Sequence, residues 1–165
     1  MNKAQDHGFT LLELIVVMLV IVLTLTLTYP SLSKGSAGLH LRSCSRDVLN
    51  TFRYAREKAI TEQTGMMVVV ERAQQDHNGI VTVCNMLGDV YGTPYQMPKD
   101  VQISHIGLGG TEVTDGPINV RFLPNGSADF AEVLLKTETG LQFKIISDPT
   151  TGGSRMEPGQ REYTR

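Results

Sequence analysis

A chain of 165 residues with a formal net charge of −2 makes one domain by the usual size prior and gives no reason to expect a polyanion as partner of the whole molecule. Two cysteines exclude a disulfide scaffold. The histidines at 7, 40, 77 and 105 form no H-x-x-x-H pair, and there is no CxxC, so no metal site is expected. Gly107-Leu108-Gly109-Gly110 lacks the Lys-Ser/Thr of a phosphate loop and reads as a flexible turn. No cofactor motif and no catalytic constellation stand out, and the chain reads as something other than an enzyme.

In chain order, a short polar leader, residues 1–8, precedes an apolar run. From Phe9 to Thr28 there are 20 residues, and Glu13 is the only formal charge among them. At 1.5 Å per residue this spans about 30 Å, the thickness of the hydrocarbon layer, so residues 9–29 are expected to cross a membrane. A carboxylate at mid-helix costs on the order of 2.5–3.5 kcal/mol on insertion scales, so Glu13 requires a reason. Lys3 precedes the run while Lys34, Arg42 and Arg46 follow it, so counting positive charges does not orient the span.

Pro30 and the loose stretch 31–38 predict a kink or partial loosening. Periodicity then returns. Leu41, Cys44, Val48, Phe52, Ala55 and Ala59 recur at spacings of three and four, one face of an amphipathic helix over 30–63. Gly65 is the expected C-terminal stop. Residues 31–63 hold six Lys/Arg against three Asp/Glu, whereas 64–149 hold ten Asp/Glu against five Lys/Arg: a basic helix and an acidic body. Apolar or alternating runs at 66–70, 80–86, 101–106, 118–123, 131–135 and 141–146 read as strands. Between them lie the turn signals Asp76-His77-Asn78-Gly79, Pro124-Asn125-Gly126 and Glu138-Thr139-Gly140. Short turns without helices mean antiparallel pairing. The expected fold class is α+β, a long N-terminal helix packed on one or two small antiparallel sheets over 64–149, followed by a tail, 150–165. Cys44 falls on the core face of the helix and Cys84 in a strand, so either one bridge or two separate buried thiols is consistent with the pattern.

Gly8-Phe9-Thr10-Leu11-Leu12-Glu13 resembles the type III signal of type IV pilins and type II secretion pseudopilins. The resemblance implies cleavage by a prepilin peptidase between Gly8 and Phe9, N-methylation of Phe9, a single-pass anchor in the bacterial inner membrane and a body in the periplasm. Under it, Glu13 of one subunit pairs with the Phe9 amine of the next during assembly. The stretch 52–60 is similar to the "ARSEAI" region of the GspH/FimT group of minor pilins and pseudopilins. Phe122-Leu123-Pro124-Asn125-Gly126-Ser127 is similar to that group's "F-x-P-x-G-S" hairpin, and Asp148-Pro149-Thr150-Thr151-Gly152 to its closing turn. The match is strong over 8–63, clear at 120–128 and weak between 71 and 117. It implies a minor pseudopilin near the tip of a periplasmic pseudopilus, with other minor and major pseudopilins as partners; the alternatives are a minor type IV pilin and a DNA-uptake pilin.

Some FimT-type pilins contact DNA phosphates through a "G-R-x-R" tail. Here Arg155, Arg161 and Arg165 are the candidate contacts, but Gly153-Ser154-Arg155-Met156 departs from that motif. Glu157 and Glu162 also cut the tail's charge, so nucleic acid is the disfavoured partner and a solvated, frayed tail the expectation.

Overall fold

The structure, a computed structural model, describes residues 10–74 and 78–159, and of 26–37 the backbone alone. The chain divides into two units, Met1–Ser36 and Ala37–Arg165. Helix α1 (Leu11–Thr61) begins in the first and ends in the second. Its helical assignment is unbroken through 30–38, where loosening was expected. Pro30 removes the bond its missing N–H would make, a small fraction of those in a helix of 51 residues.

The helix does not stop on Gly65. Gln63 takes the left-handed conformation (φ 51°), the Thr64 N–H donates to Ala59 O at 3.2 Å, and the Gln63 amide caps Ile60 O at 2.6 Å. That is a Schellman ending built on a non-glycine residue, with its own side chain serving one of the orphan carbonyls. At Gly65 the backbone keeps an ordinary φ, and the nearest atom to a Cβ there, Met86 Cε at 2.8 Å, is the movable end of a half-exposed side chain.

Among the described residues nine strands follow: β1 (Met66–Glu71), β2 (Ile80–Asn85), β3 (Val90–Gln96), β4 (Val101–Leu108), β5 (Thr111–Glu112), β6 (Ile118–Phe122), β7 (Ala131–Thr137), β8 (Gln142–Ser147) and β9 (Ser154–Pro158). They form two antiparallel sheets, ordered β3-β2-β1-β6 and β5-β4-β7-β8-β9. The α+β architecture is as expected, with the six anticipated strands in place. Strands β3, β5 and β9 are additions. All three sit at or next to a sheet edge, where one missing N–H or an odd side chain costs little, so Gly92 and Pro94 in β3 and the charges of β9 hid them from a pattern search. Strand β9 also corrects the tail: its residues pair with β8 from Phe143↔Pro158 to Ser147↔Ser154, so the sheet extends past 149.

The predicted helical stripe is the core's spine. Leu41, Cys44, Val48, Phe52, Ala55 and Ala59 are all buried, against Met66, Val68 and Val70 of β1 and Val120 and Phe122 of β6. The Phe52 and Phe122 rings meet edge to face, 6.0 Å between centroids and 86° between planes, the geometry that opposed ring quadrupoles favour. Strand parity decides the cysteines. Val81 and Val83 pair with Val70 and Val68 on the core face, so Cys84, paired with Met67, lies on the opposite face of the sheet. Cys44 is in the core with its Sγ 3.2 Å from Met97 Sδ. Both thiols are free. Of the two arrangements left open by the sequence, separate buried thiols are the one observed.

Candidate functional site

The N-terminal end of α1 is set by Thr10. Its carbonyl accepts from the Leu14 N–H at 3.2 Å, and its Oγ1 accepts from the Glu13 N–H at 3.2 Å. Thr10 is therefore the N-cap and Glu13 the third helical residue, in the T-x-x-E spacing of a capping box. This cap was legible in the spacing but is easily overlooked when the same residues are taken as a processing signal. It places the Glu13 carboxylate in the first turn, beside the unsatisfied N–H groups and the positive end of the helix dipole, a favourable place for an acid in an apolar run.

Beyond Glu13, Leu11 to Leu25 is apolar on every side, from 46% exposed at Ile21 to 79% at Leu11. An all-round apolar helix has no core-facing stripe to bury and needs an apolar surrounding. The one hydroxyl there is satisfied internally: Thr24 Oγ1 donates to Ile21 O (2.8 Å) and Val20 O (3.0 Å). Among the described residues no helix is long and apolar enough to cross a membrane, the described side chains of this run being those of 10–25. Gly8 and Phe9, the expected cleavage and methylation positions, lie outside the described residues, as do Asp76, His77, Arg161 and Arg165.

In the second unit, Ala37–Arg165, called the β unit below, the sequence stretches singled out above converge on Arg56. Its Nε donates to Thr151 O (2.9 Å) and Gly126 O (3.2 Å), tying the helix to the β6–β7 turn and the closing turn together. The turns touch closely beneath it. A Cβ on Gly152 (φ 62°) would meet Gly126 O at 2.0 Å, so the backbone there tolerates no side chain. Asp148 holds the closing turn by accepting from Thr150 N–H, Thr151 N–H and Thr151 Oγ1, bonds that keep its carboxyl below the ordinary range. Asn125 does the same for its turn through the Ser127 N–H and Oγ. These groups fold the chain; none is arranged for chemistry.

The remaining site expectations separate. Arg155 lies on β9 with its Nε donating to Glu157 Oε1 at 2.7 Å, so the cation is already paired. Among the described residues no three of His, Cys, Asp or Glu gather as a metal site. Burial raises the Cys44 thiol to about 11 and the Cys84 thiol above its ordinary value, keeping both protonated at neutral pH.

Residues 3–29 match the family model described as the prokaryotic N-terminal methylation motif. The fold is similar to the structure of EpsH, a minor pseudopilin from the Type 2 Secretion System of Vibrio cholerae, with a TM-score of 0.52 over 72% of this chain and 97% of that one. The chain therefore carries a methylation-type N-terminus and has a fold similar to that of this minor pseudopilin. Sequence identity with EpsH is 11%, so the likeness speaks for the fold. No curated protein matches the chain.

Proposed function

We propose that this chain is a minor pseudopilin of a type II secretion system, a structural subunit near the tip of a short periplasmic pseudopilus. The observation that carries the reading is the combination of a methylation-type N-terminus with the fold of a minor pseudopilin. Prepilin peptidase cleaves after Gly8, and Phe9 becomes a methylated amine that stays cationic at neutral pH. The apolar first part of α1 holds the chain in the inner membrane with the β unit in the periplasm. Glu13, capped into the first turn, offers its carboxylate to the Phe9 amine of a neighbouring subunit. An unpaired charge in lipid is penalised and a paired one much less, so the acid favours assembly over isolation. Within the complex the chain contributes packing and contacts rather than catalysis. A minor type IV pilin would use the same N-terminus, whereas the DNA-uptake reading loses Arg155 to its Glu157 partner.

Two measurements test this. Intact mass of the membrane-extracted chain is expected to show a mature protein beginning at methylated Phe9; a chain beginning at Met1 removes the filament reading. Glu13→Ala is expected to insert normally but to be lost from crosslinked filament complexes, and normal incorporation counts against the pairing. Co-purification with a secretin and secretion ATPase, rather than pilus retraction components, separates the two filament types.

A further inference from the structure

Positive charge on the β unit is unevenly matched. Lys58, Arg121, Lys144 and Arg155 each hold a carboxylate at 2.7–3.0 Å. Arg72 is spent on the carbonyls of Val113 and Thr114. Arg42, Arg46 and Arg53 differ: all three are exposed, and none has an acidic partner among the described residues. Spaced by four and seven, they lie along one face of α1, over about 16 Å of axis.

That row ends in a cleft of about 460 Å³ between the last turns of α1 and the start of β9, lined by Arg53, Arg56, Glu57, Ile60 and Ser154. Two of these groups carry unused donors. Arg56 commits its Nε to Gly126 and Thr151, while its terminal amino groups bond nothing among the described residues. Ser154 Oγ is buried without a hydrogen-bond partner, an arrangement native structures rarely leave unexplained. Glu57 is the one opposing charge in the cleft.

We infer that this cleft receives an aspartate or glutamate carboxylate from an acidic protein segment, with Arg42 and Arg46 continuing the contact along the helix. Guanidinium forks match the planar two-oxygen geometry of a carboxylate, and the Ser154 hydroxyl supplies a neutral donor to it. Two guanidiniums outweigh Glu57, while Glu57 works against a dense polyanion such as a nucleic acid. Charge complementarity names the partner: residues 64–149 of this very chain carry twice as many acids as bases, so a neighbouring subunit of similar make presents the surface the row requires. That identity rests on the filament reading; the cleft's chemistry does not.

The test is fluorescence anisotropy of a labelled hexaglutamate peptide with the full chain in detergent, at low and physiological salt, with a duplex DNA oligonucleotide as the second probe. Binding to hexaglutamate is expected, weakened about tenfold or more by R42A/R46A/R53A and also weakened by Ser154→Ala. Lys58→Ala, which removes a cation already paired, should leave it unchanged. Because Arg42, Arg46 and Arg53 are exposed, the triple variant keeps its fold, checked by an unshifted thermal midpoint. Absence of binding, equal binding by wild type and triple variant, or tighter binding of DNA than of peptide each overturns the inference. A mature chain beginning at Met1 would sink the filament reading and leave this result standing.

Discussion

One helix, α1, carries two kinds of surface. From Leu14 to Leu25 its side chains, Thr24 apart, are apolar all round and uncovered, whereas Leu41, Cys44, Val48, Phe52, Ala55 and Ala59 form one stripe that the strands bury. In the apolar surrounding that such a surface needs, the first stretch has little to gain from protein contacts within the chain. The second takes its stability from removing the stripe from water. Mutations should therefore report on different things in the two regions. Phe52→Ala, deleting a fully buried ring and its edge-to-face contact with Phe122, should cost about 3–5 kcal/mol in urea unfolding of the full chain in detergent. Leu19→Ala, in the uncovered stretch, should leave that transition where it was. If Leu19→Ala shifts the midpoint as far as Phe52→Ala, the comparison is wrong.

A smaller effect tests the turns that close over the packed stretch. Gly152→Ala forces a side chain onto a left-handed backbone and into Gly126 O. The backbone strain alone is of order 1–3 kcal/mol, and relieving the clash requires the two turns to part and Arg56 to lose its carbonyls. Gly140→Ala is the control. It has a similar φ of 80° but open space around its Cβ, so it should cost less. Equal costs would mean that strain, and not the contact between turns, decides.

Much of this was legible in the residues. The buried stripe followed from spacings of three and four, six strands followed from alternation and turn residues, and the N-terminal signal lies in Gly8 to Glu13. What stayed hidden depends on contacts distant in sequence. Nothing near Arg56 announces that its guanidinium will serve residues 70 and 95 positions away. Ser154 looked like part of a frayed tail because β9 draws its order from β8 and not from its own composition. The helix ends where its periodicity runs out, but the residue that ends it is hidden, because Gln63 takes the left-handed position and caps with its side-chain amide where glycine is the usual choice. The two cysteines could be told apart only once register placed Met67 beside Cys84.

Thiol chemistry sharpens the contrast between the stretches. With its pKa pushed from 9.0 up to about 11 by burial, Cys44 holds roughly 100-fold less thiolate at pH 8 than an ordinary thiol, before access is considered. Iodoacetamide should therefore leave native Cys44 unmodified at that pH while labelling it fully in urea. The sign of the linkage follows: Cys44 favours the folded state below pH 9, and that contribution declines as pH rises toward 11. Rapid native alkylation of Cys44 would mean that the packed stretch opens readily, and would undo its distinction from the exposed one.

Acid should reveal the smallest difference. Asp129 accepts two side-chain bonds from Arg121, at 2.8 and 3.0 Å, and the Arg121 backbone N–H at 3.0 Å. Its carboxyl is held below 3.8, chiefly by the Arg121 side chain, with burial working the other way. A depressed folded-state pKa means that the unfolded chain takes up the proton first, so the stabilisation is present above the ordinary carboxylate range and drains away as pH falls below about 4. Arg121 is exposed and Asp129 only half-buried, so solvent screens the pair, the loss should be modest and it should shrink further in high salt. Asp129→Asn should flatten the fall of the thermal midpoint between pH 5 and pH 3, while a parallel slope in the variant would assign that fall to other acids. The stretch 14–25 carries no titratable side chain, so it should keep its helicity in detergent across the same range. Should it unwind in step with the β unit, its stability comes from that unit, and the first part of α1 is no longer governed by its apolar surroundings alone.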